Sequence, residues 1–136
     1  MILKFAVVSG ILLSTFPLLA HHSFAAEYDS SKTITVKGVV NRVAWVNPHA
    51  YVYIDVKDEN GKVSTWAFES ISPNALARQG WTRNSLKPGD EVTVDGYMAK
   101  DGKPLADGSI HANSKLITLA NGKKVFIGSS ADDASK

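Results

Sequence analysis

Cysteine is absent from the 136 residues, which removes thiolate metal sites, thiol catalysis, redox exchange and a disulfide framework together. Charge of one sign is also missing: 15 lysines and arginines stand against 13 aspartates and glutamates, a formal +2. The basic residues are scattered among acids instead of forming a stripe, which argues against nucleic acid as a partner. No serine occupies a Gly-x-Ser-x-Gly turn and no glycine-rich loop leads from a strand into a helix, so elbow-type hydrolysis and phosphate cradling drop out. Any chemistry must use histidine, carboxylate, hydroxyl or amide groups.

Long apolar runs are missing too, with one exception at the start. Met1 to Lys4 supply a short positive beginning, Phe5 to Leu19 are mostly apolar, and Ala20 is a small residue suited to processing; residues 1–20 read as a signal peptide. Ser9, Gly10, Ser14, Thr15 and Pro17 interrupt the run, which falls short of the roughly 20 clean apolar residues of a spanning helix. An uncleaved anchor is the alternative. Cleavage after Ala20 gives a mature chain from His21 to Lys136 that is close to neutral once Lys4 is gone, expected in the periplasm or outside the cell with no stable membrane insertion. Ser23-Phe24-Ala25 offers a second small-x-small site, and cleavage after Ala25 would discard His21 and His22.

The mature chain is long enough for one domain with a modest core. Residues 21–32 read as an N-terminal arm, 33–128 as the domain and 129–136, small and polar, as a disordered tail. Thr33 to Val46 reads as one long strand whose apolar parity changes between Ile34-Val36 and Val43-Trp45; a bulge around Gly38, Val39 and Val40 would make that shift. Tyr51 to Val56 alternates, Asn60-Gly61 suits a hairpin turn, and Val63 to Glu69 returns. Ser72-Pro73 reads as a helix start, Asn74 to Gln79 as the helix and Gly80 as its stop. Leu86 to Asp90 is a turn, Glu91 to Met98 a fourth strand, Lys100 to Gly108 a loop, Ser109 to Leu119 a fifth strand and Val125 to Ile127 a short last one. Three strands, a helix and two more strands behind a bent first strand give an all-β, OB-type barrel of five to six strands. An irregular β-sandwich is the alternative.

The four histidines, His21, His22, His49 and His111, are the most informative residues. A terminus at His21 would place an α-amino group and an imidazole on one metal ion, and neutral nitrogen ligands favour Cu(II) among the divalent first-row metals. His22 could add a third ligand. His49 lies between the first two strands and His111 just past the loop joining strands four and five, and in an OB barrel those loops flank the binding face. Parity puts His111 opposite Ile110 and Ala112, on an exposed face. The plain alternative is that each histidine is a solvated or hydrogen-bonded side chain.

Several motifs carry a resemblance: His21-His22-Ser23-Phe24 with Glu27-Tyr28-Asp29; Trp45-Val46-Asn47-Pro48-His49-Ala50-Tyr51; Ser72-Pro73-Asn74; Gly80-Trp81; and Leu86-Lys87-Pro88-Gly89-Asp90 with Val92. Over nearly all of the mature chain the sequence resembles a family of small exported bacterial proteins catalogued as a domain of unknown function. The resemblance implies processing directly before the His-His pair and implies no activity.

Weaker constellations complete the reading. Glu27, Asp29, Asp55 and Glu69 form a carboxylate pair only under an assumed geometry, and Asp55, Asp58 and Asn60 resemble a calcium loop without its distal glutamate. Tyr51, Tyr53, Trp66 and Trp81 could stack a flat ligand, although Trp66 and Phe68 read as core. The expectation is a non-enzymatic exported protein binding copper through His21, His22, His49 and His111, with the metal ion and another periplasmic protein as partners. The alternative is a binding module for a carbohydrate, peptide or protein partner.

Overall fold

A strand that must serve two halves of a barrel has to bend, and β1 (Tyr28–Ala44) does so. In the computed structural model, which describes residues 24–134, its first part pairs with β4 (Glu91–Ala99) and its last part with β2 (Tyr51–Lys57), the handover falling at Val39. The register shift lies between Val40 and Arg42, leaving Asn41 as the extra residue. The parity change expected at Gly38–Val40 therefore occurs just after it. Gly38 instead permits a close approach of two strands. A Cβ there would stand 2.4 Å from the Asp55 carbonyl, so the backbones meet where only glycine fits.

β2 and β3 (Val63–Glu69) form the hairpin read from the sequence, from Lys57 opposite Val63 to Tyr51 opposite Glu69. The Asp58 carboxylate accepts from the backbone N–H groups of Asn60 and Lys62, each at 2.9 Å, and Gly61 takes φ +81°. β3 then pairs in parallel with β5 (Ile110–Leu119), and β5 pairs antiparallel with β4. The ring β1-β2-β3-β5-β4 closes back on β1, with β6 (Lys124–Val125) outside it against β5. The fold is the expected OB-type, all-β barrel with short helices only.

Alternation fills its interior. Val40, Val52, Ile54, Phe68, Val92, Val94, Ala112 and Ile117 are buried. Between β3 and β4, α2 (Pro73–Arg78) covers the core with Ala75 and Leu76; the Ser72 hydroxyl caps it by accepting from the Ala75 N–H at 3.2 Å. Trp66 and Trp81 pack against the core while partly exposed.

The two ends of the described chain differ from the sequence reading. The strand begins at Tyr28, inside the expected arm, behind a one-turn helix α1 (Phe24–Glu27). The segment expected to trail off from Ser129 forms α3 (Ser130–Ala134), with Ser129 and Ser130 buried. Burial of Tyr28 and packing of α1 against α3 hold both ends to the barrel, which composition alone does not reveal.

Candidate functional site

Because Val52, Ile54 and Phe68 point inward, Tyr51, Tyr53, Ala67 and Glu69 point outward. The registers then set two rows across the outer face: Tyr53, Ala67 and His111 in one, and Tyr51, Glu69, Asn113 and Tyr97 in the next. This is the face that strands two and three of an OB barrel present to ligands. His49 enters from the connection between β1 and β2, and Tyr28 from the start of β1 lies over His111 with ring centroids 5.3 Å apart. Tyr51 stacks on His111 from another side at 6.4 Å.

Glu69 is the centre of the group and is 4 % exposed. Its Oε2 accepts from the Tyr28 hydroxyl and, at 3.0 Å, from the Tyr51 hydroxyl. Its Oε1 lies against His49 Nδ1. His111 Nε2 is 2.7 Å from the Tyr28 hydroxyl oxygen and 3.7 Å from Glu69 Oε2, the longer separation being an attraction across space and not a hydrogen bond.

A donor count assigns the protons. An ionised carboxylate only accepts, so His49 must carry its proton on Nδ1. The one hydroxyl proton of Tyr28 goes to Glu69, so the Tyr28 oxygen is the acceptor toward His111, whose proton sits on Nε2. In their neutral forms both imidazoles then keep a lone pair on the opposite nitrogen, His49 Nε2 and His111 Nδ1. Neither of those nitrogens has a hydrogen-bond partner among the described residues. The rings are accessible enough to be reached, with 27 % of the His49 side chain and 16 % of the His111 side chain exposed.

The electrostatics agree with an ionised hub. Burial pushes the Glu69 carboxyl upward, but His111, the Tyr28 hydroxyl, the electrostatic attraction of His49 and the Tyr51 hydroxyl together hold it below the usual carboxylate range. Burial first, and then the negative charge of Glu69 and the hydrogen bond to it, drive the phenols of Tyr28 and Tyr51 well above the ordinary tyrosine range. Both therefore remain donors throughout physiological pH.

The chain belongs to the family of unknown function DUF6152, whose match covers residues 10–108. That stretch includes His21, His22, Tyr28, His49 and Glu69 and stops just before β5, which carries His111. No curated protein and no solved structure matches the chain.

Of the histidines singled out from the sequence, His49 and His111 gather on Glu69, whereas His21 and His22 lie outside the described residues. His111 is on the expected outward face, yet Tyr28 covers much of it. Tyr51 and Tyr53 also face outward, but the Tyr51 hydroxyl is committed to Glu69 and Arg42 lies over the Tyr53 ring at 3.4 Å. Sequence reasoning missed Tyr28 and Glu69 as site residues. Glu69 could have been found by carrying the Asn60-Gly61 hairpin to its end, where it pairs Glu69 with Tyr51 on the outward face. Among the described residues no three or more His, Asp or Glu side chains are placed to hold a metal ion, and no helix is long and apolar enough to cross a membrane.

Proposed function

We propose that the DUF6152 protein is an exported, non-enzymatic transition-metal-binding protein, with copper as the metal and His49 Nε2 and His111 Nδ1 as two of its ligands. The observation that carries this reading is the donor count at Glu69. A ligating imidazole characteristically gives its other ring N–H to a carboxylate or a comparable acceptor, which fixes tautomer and ring orientation. His49 does so with Glu69 directly, and His111 through the Tyr28 oxygen. Imidazole nitrogen suits copper, nickel and zinc, and at comparable sites Cu(II) binds most strongly among the divalent first-row ions. The apolar start at residues 5–19 supports export to the periplasm or beyond, where a periplasmic partner protein would exchange the metal.

Titration of the chain beginning at His21 with Cu(II), followed by its visible absorption and electron paramagnetic resonance, tests the reading. One equivalent should bind, with nitrogen hyperfine structure. His49→Ala and His111→Ala should each weaken binding, and Glu69→Gln, which touches no metal, should weaken it about 10- to 100-fold through the lost orientation. Unchanged spectra on adding Cu(II) would overturn it.

A second reading draws on a polar groove beside the cluster. Asn41, Arg42, Tyr53, Ser64, Thr65 and Asp107 line it, and it occupies the OB ligand face where β3 runs past the start of β5. A carbohydrate would use the hydroxyl and amide groups there. On that reading the histidines are structural and Cu(II) leaves the spectra unchanged.

A further inference from the structure

We infer that the end of the barrel beside α2 is a docking surface for an anionic lipid bilayer, held from outside and without insertion of a helix. The inference is independent of the metal. It starts from Phe126, which among the described residues is the one non-glycine with a positive φ, +52°. A side chain with a Cβ avoids that conformation, and such strain persists only where the surroundings impose it. Here they do: Phe126 is fully buried, with the rings of Trp45 and Trp81 centred 5.9 Å and 6.2 Å from its own. The turn that buries Phe126 leaves the next side chain outside, Ile127 being 47 % exposed, and Val46, next to Trp45, is 52 % exposed. Both tryptophans are half-buried. Single exposed apolar side chains need no explanation, but four gathered around one buried ring make a patch.

The charge around this patch has one sign. The segments that frame it, residues 43–50, 71–89 and 118–131, carry Arg78, Arg83, Lys87, Lys123 and Lys124 and no aspartate or glutamate. All 13 acids of the chain lie elsewhere, against 10 of its 15 basic residues, so the positive excess of the molecule is concentrated here. Arg78 and Arg83 stand three and two residues from Trp81, and Lys123 and Lys124 three and two before Phe126, spans of roughly 10 Å at most. All four are exposed. The bordering carboxylates of Asp90 and Asp132 are turned to the chain's own N–H groups, at Lys87 and Ser129, each at 2.8 Å.

Tryptophan beside lysine and arginine is the pairing that suits a membrane–water boundary: the rings sit at headgroup level, the aliphatic tips reach the acyl chains and the cations meet lipid phosphates. Trp81 is oriented for it, since its ring packs on Phe126 while its N–H donates to the exposed Gln79 side chain at 3.1 Å. Protein interfaces are instead depleted in lysine. The adjacent Lys123 and Lys124, directly before Val125 and Phe126, therefore favour lipid over a protein partner.

The test mixes the chain beginning at His21, with EDTA present so that metal plays no part, with vesicles of phosphatidylglycerol and phosphatidylcholine or of phosphatidylcholine alone. Co-sedimentation and tryptophan fluorescence are read. The inference expects binding to the mixed vesicles only, a blue shift as Trp45 and Trp81 leave water, and release as salt is raised. Lys123→Gln with Lys124→Gln should weaken partition roughly 25-fold, each cation near an anionic surface being worth a factor of about five. Val46→Ser with Ile127→Ser, both at exposed positions, should also weaken it and leave the circular dichroism of the fold unchanged. No co-sedimentation, equal binding to the neutral vesicles, or binding that neither double variant weakens would overturn the inference. So would a dimer, seen by light scattering without vesicles, that Val46→Ser with Ile127→Ser dissolves, because the patch would then belong to a second copy of the chain.

Discussion

Glu69→Ala is expected to destabilise the protein by at least about 3 kcal/mol, since each buried donor left without its acceptor costs about 1–3 kcal/mol. The carboxylate receives the Tyr28 and Tyr51 hydroxyls and the His49 ring, all on a residue that is 4 % exposed. Its loss strands three donors and adds a void. Urea unfolding followed by tryptophan fluorescence measures the change, and a loss below about 1 kcal/mol, the worth of one ordinary hydrogen bond, would contradict the assignment of Glu69 as the hub. The same hub predicts a pH dependence. A carboxyl held below its ordinary range stabilises the fold above the unfolded value of about 4.3 and loses that contribution as pH falls through its folded value. Acid unfolding of the wild type should therefore show a component that Glu69→Gln lacks. At the alkaline end the sign reverses. The Tyr28 and Tyr51 phenols ionise in the unfolded chain near about 10 but resist doing so when folded, so stability falls as pH rises beyond that value.

Gly96→Ala is expected to be at least as damaging, although it lies outside the cluster. Gly96 sits at the irregularity between β4 and β5, and a Cβ there would stand 1.9 Å from the Asn113 carbonyl oxygen and 3.0 Å from its carbon. Backbone cannot swing away as a flexible side chain would, so the strands must separate where the barrel closes. A methyl group forced into packed surroundings typically costs about 1–3 kcal/mol, and an overlap this deep with main chain should exceed that range. Loss of soluble protein, or a fall in Tm of more than about 8 °C for a domain of this size, is the expected result. A variant with wild-type Tm would mean that β4 and β5 do not approach as described. The effect should also reach the site, because Asn113 adjoins Glu69 in the parallel pairing of β3 and β5.

The barrel was legible in the sequence because its signals are local. Alternation at Val52, Ile54 and Val56, the Asn60-Gly61 turn and the Ser72-Pro73 helix start each act within a few residues. Their order favours the OB arrangement over a β-sandwich, and the parallel pairing of β3 with β5 that closes the ring decides it. The position of the bulge was less legible: Gly38 looks like a bulge residue in the sequence, but it answers to the Asp55 carbonyl, a neighbour 17 positions away. The site was half legible. His49 and His111 could be placed because OB loops converge at one end of the barrel. Glu69 was reachable only by carrying the Asn60-Gly61 hairpin to its end, and Tyr28 was not reachable at all, because its role depends on a hydrogen bond to a residue 41 positions away. The order of the tail was hidden for a similar reason: Ser130 is anchored by a 2.6 Å hydrogen bond from Asn113, and a run of small polar residues gives no hint of it.

The proposed function depends on which imidazole nitrogens are free. A long-range proton–nitrogen correlation spectrum of the 15N-labelled chain beginning at His21, recorded before and during addition of Cu(II), reads this directly. The account predicts a proton on Nδ1 of His49 and on Nε2 of His111 in the metal-free protein, and selective paramagnetic broadening of the His49 and His111 ring resonances as Cu(II) is added. Protons on the opposite nitrogens, or ring resonances that Cu(II) leaves sharp, would contradict it.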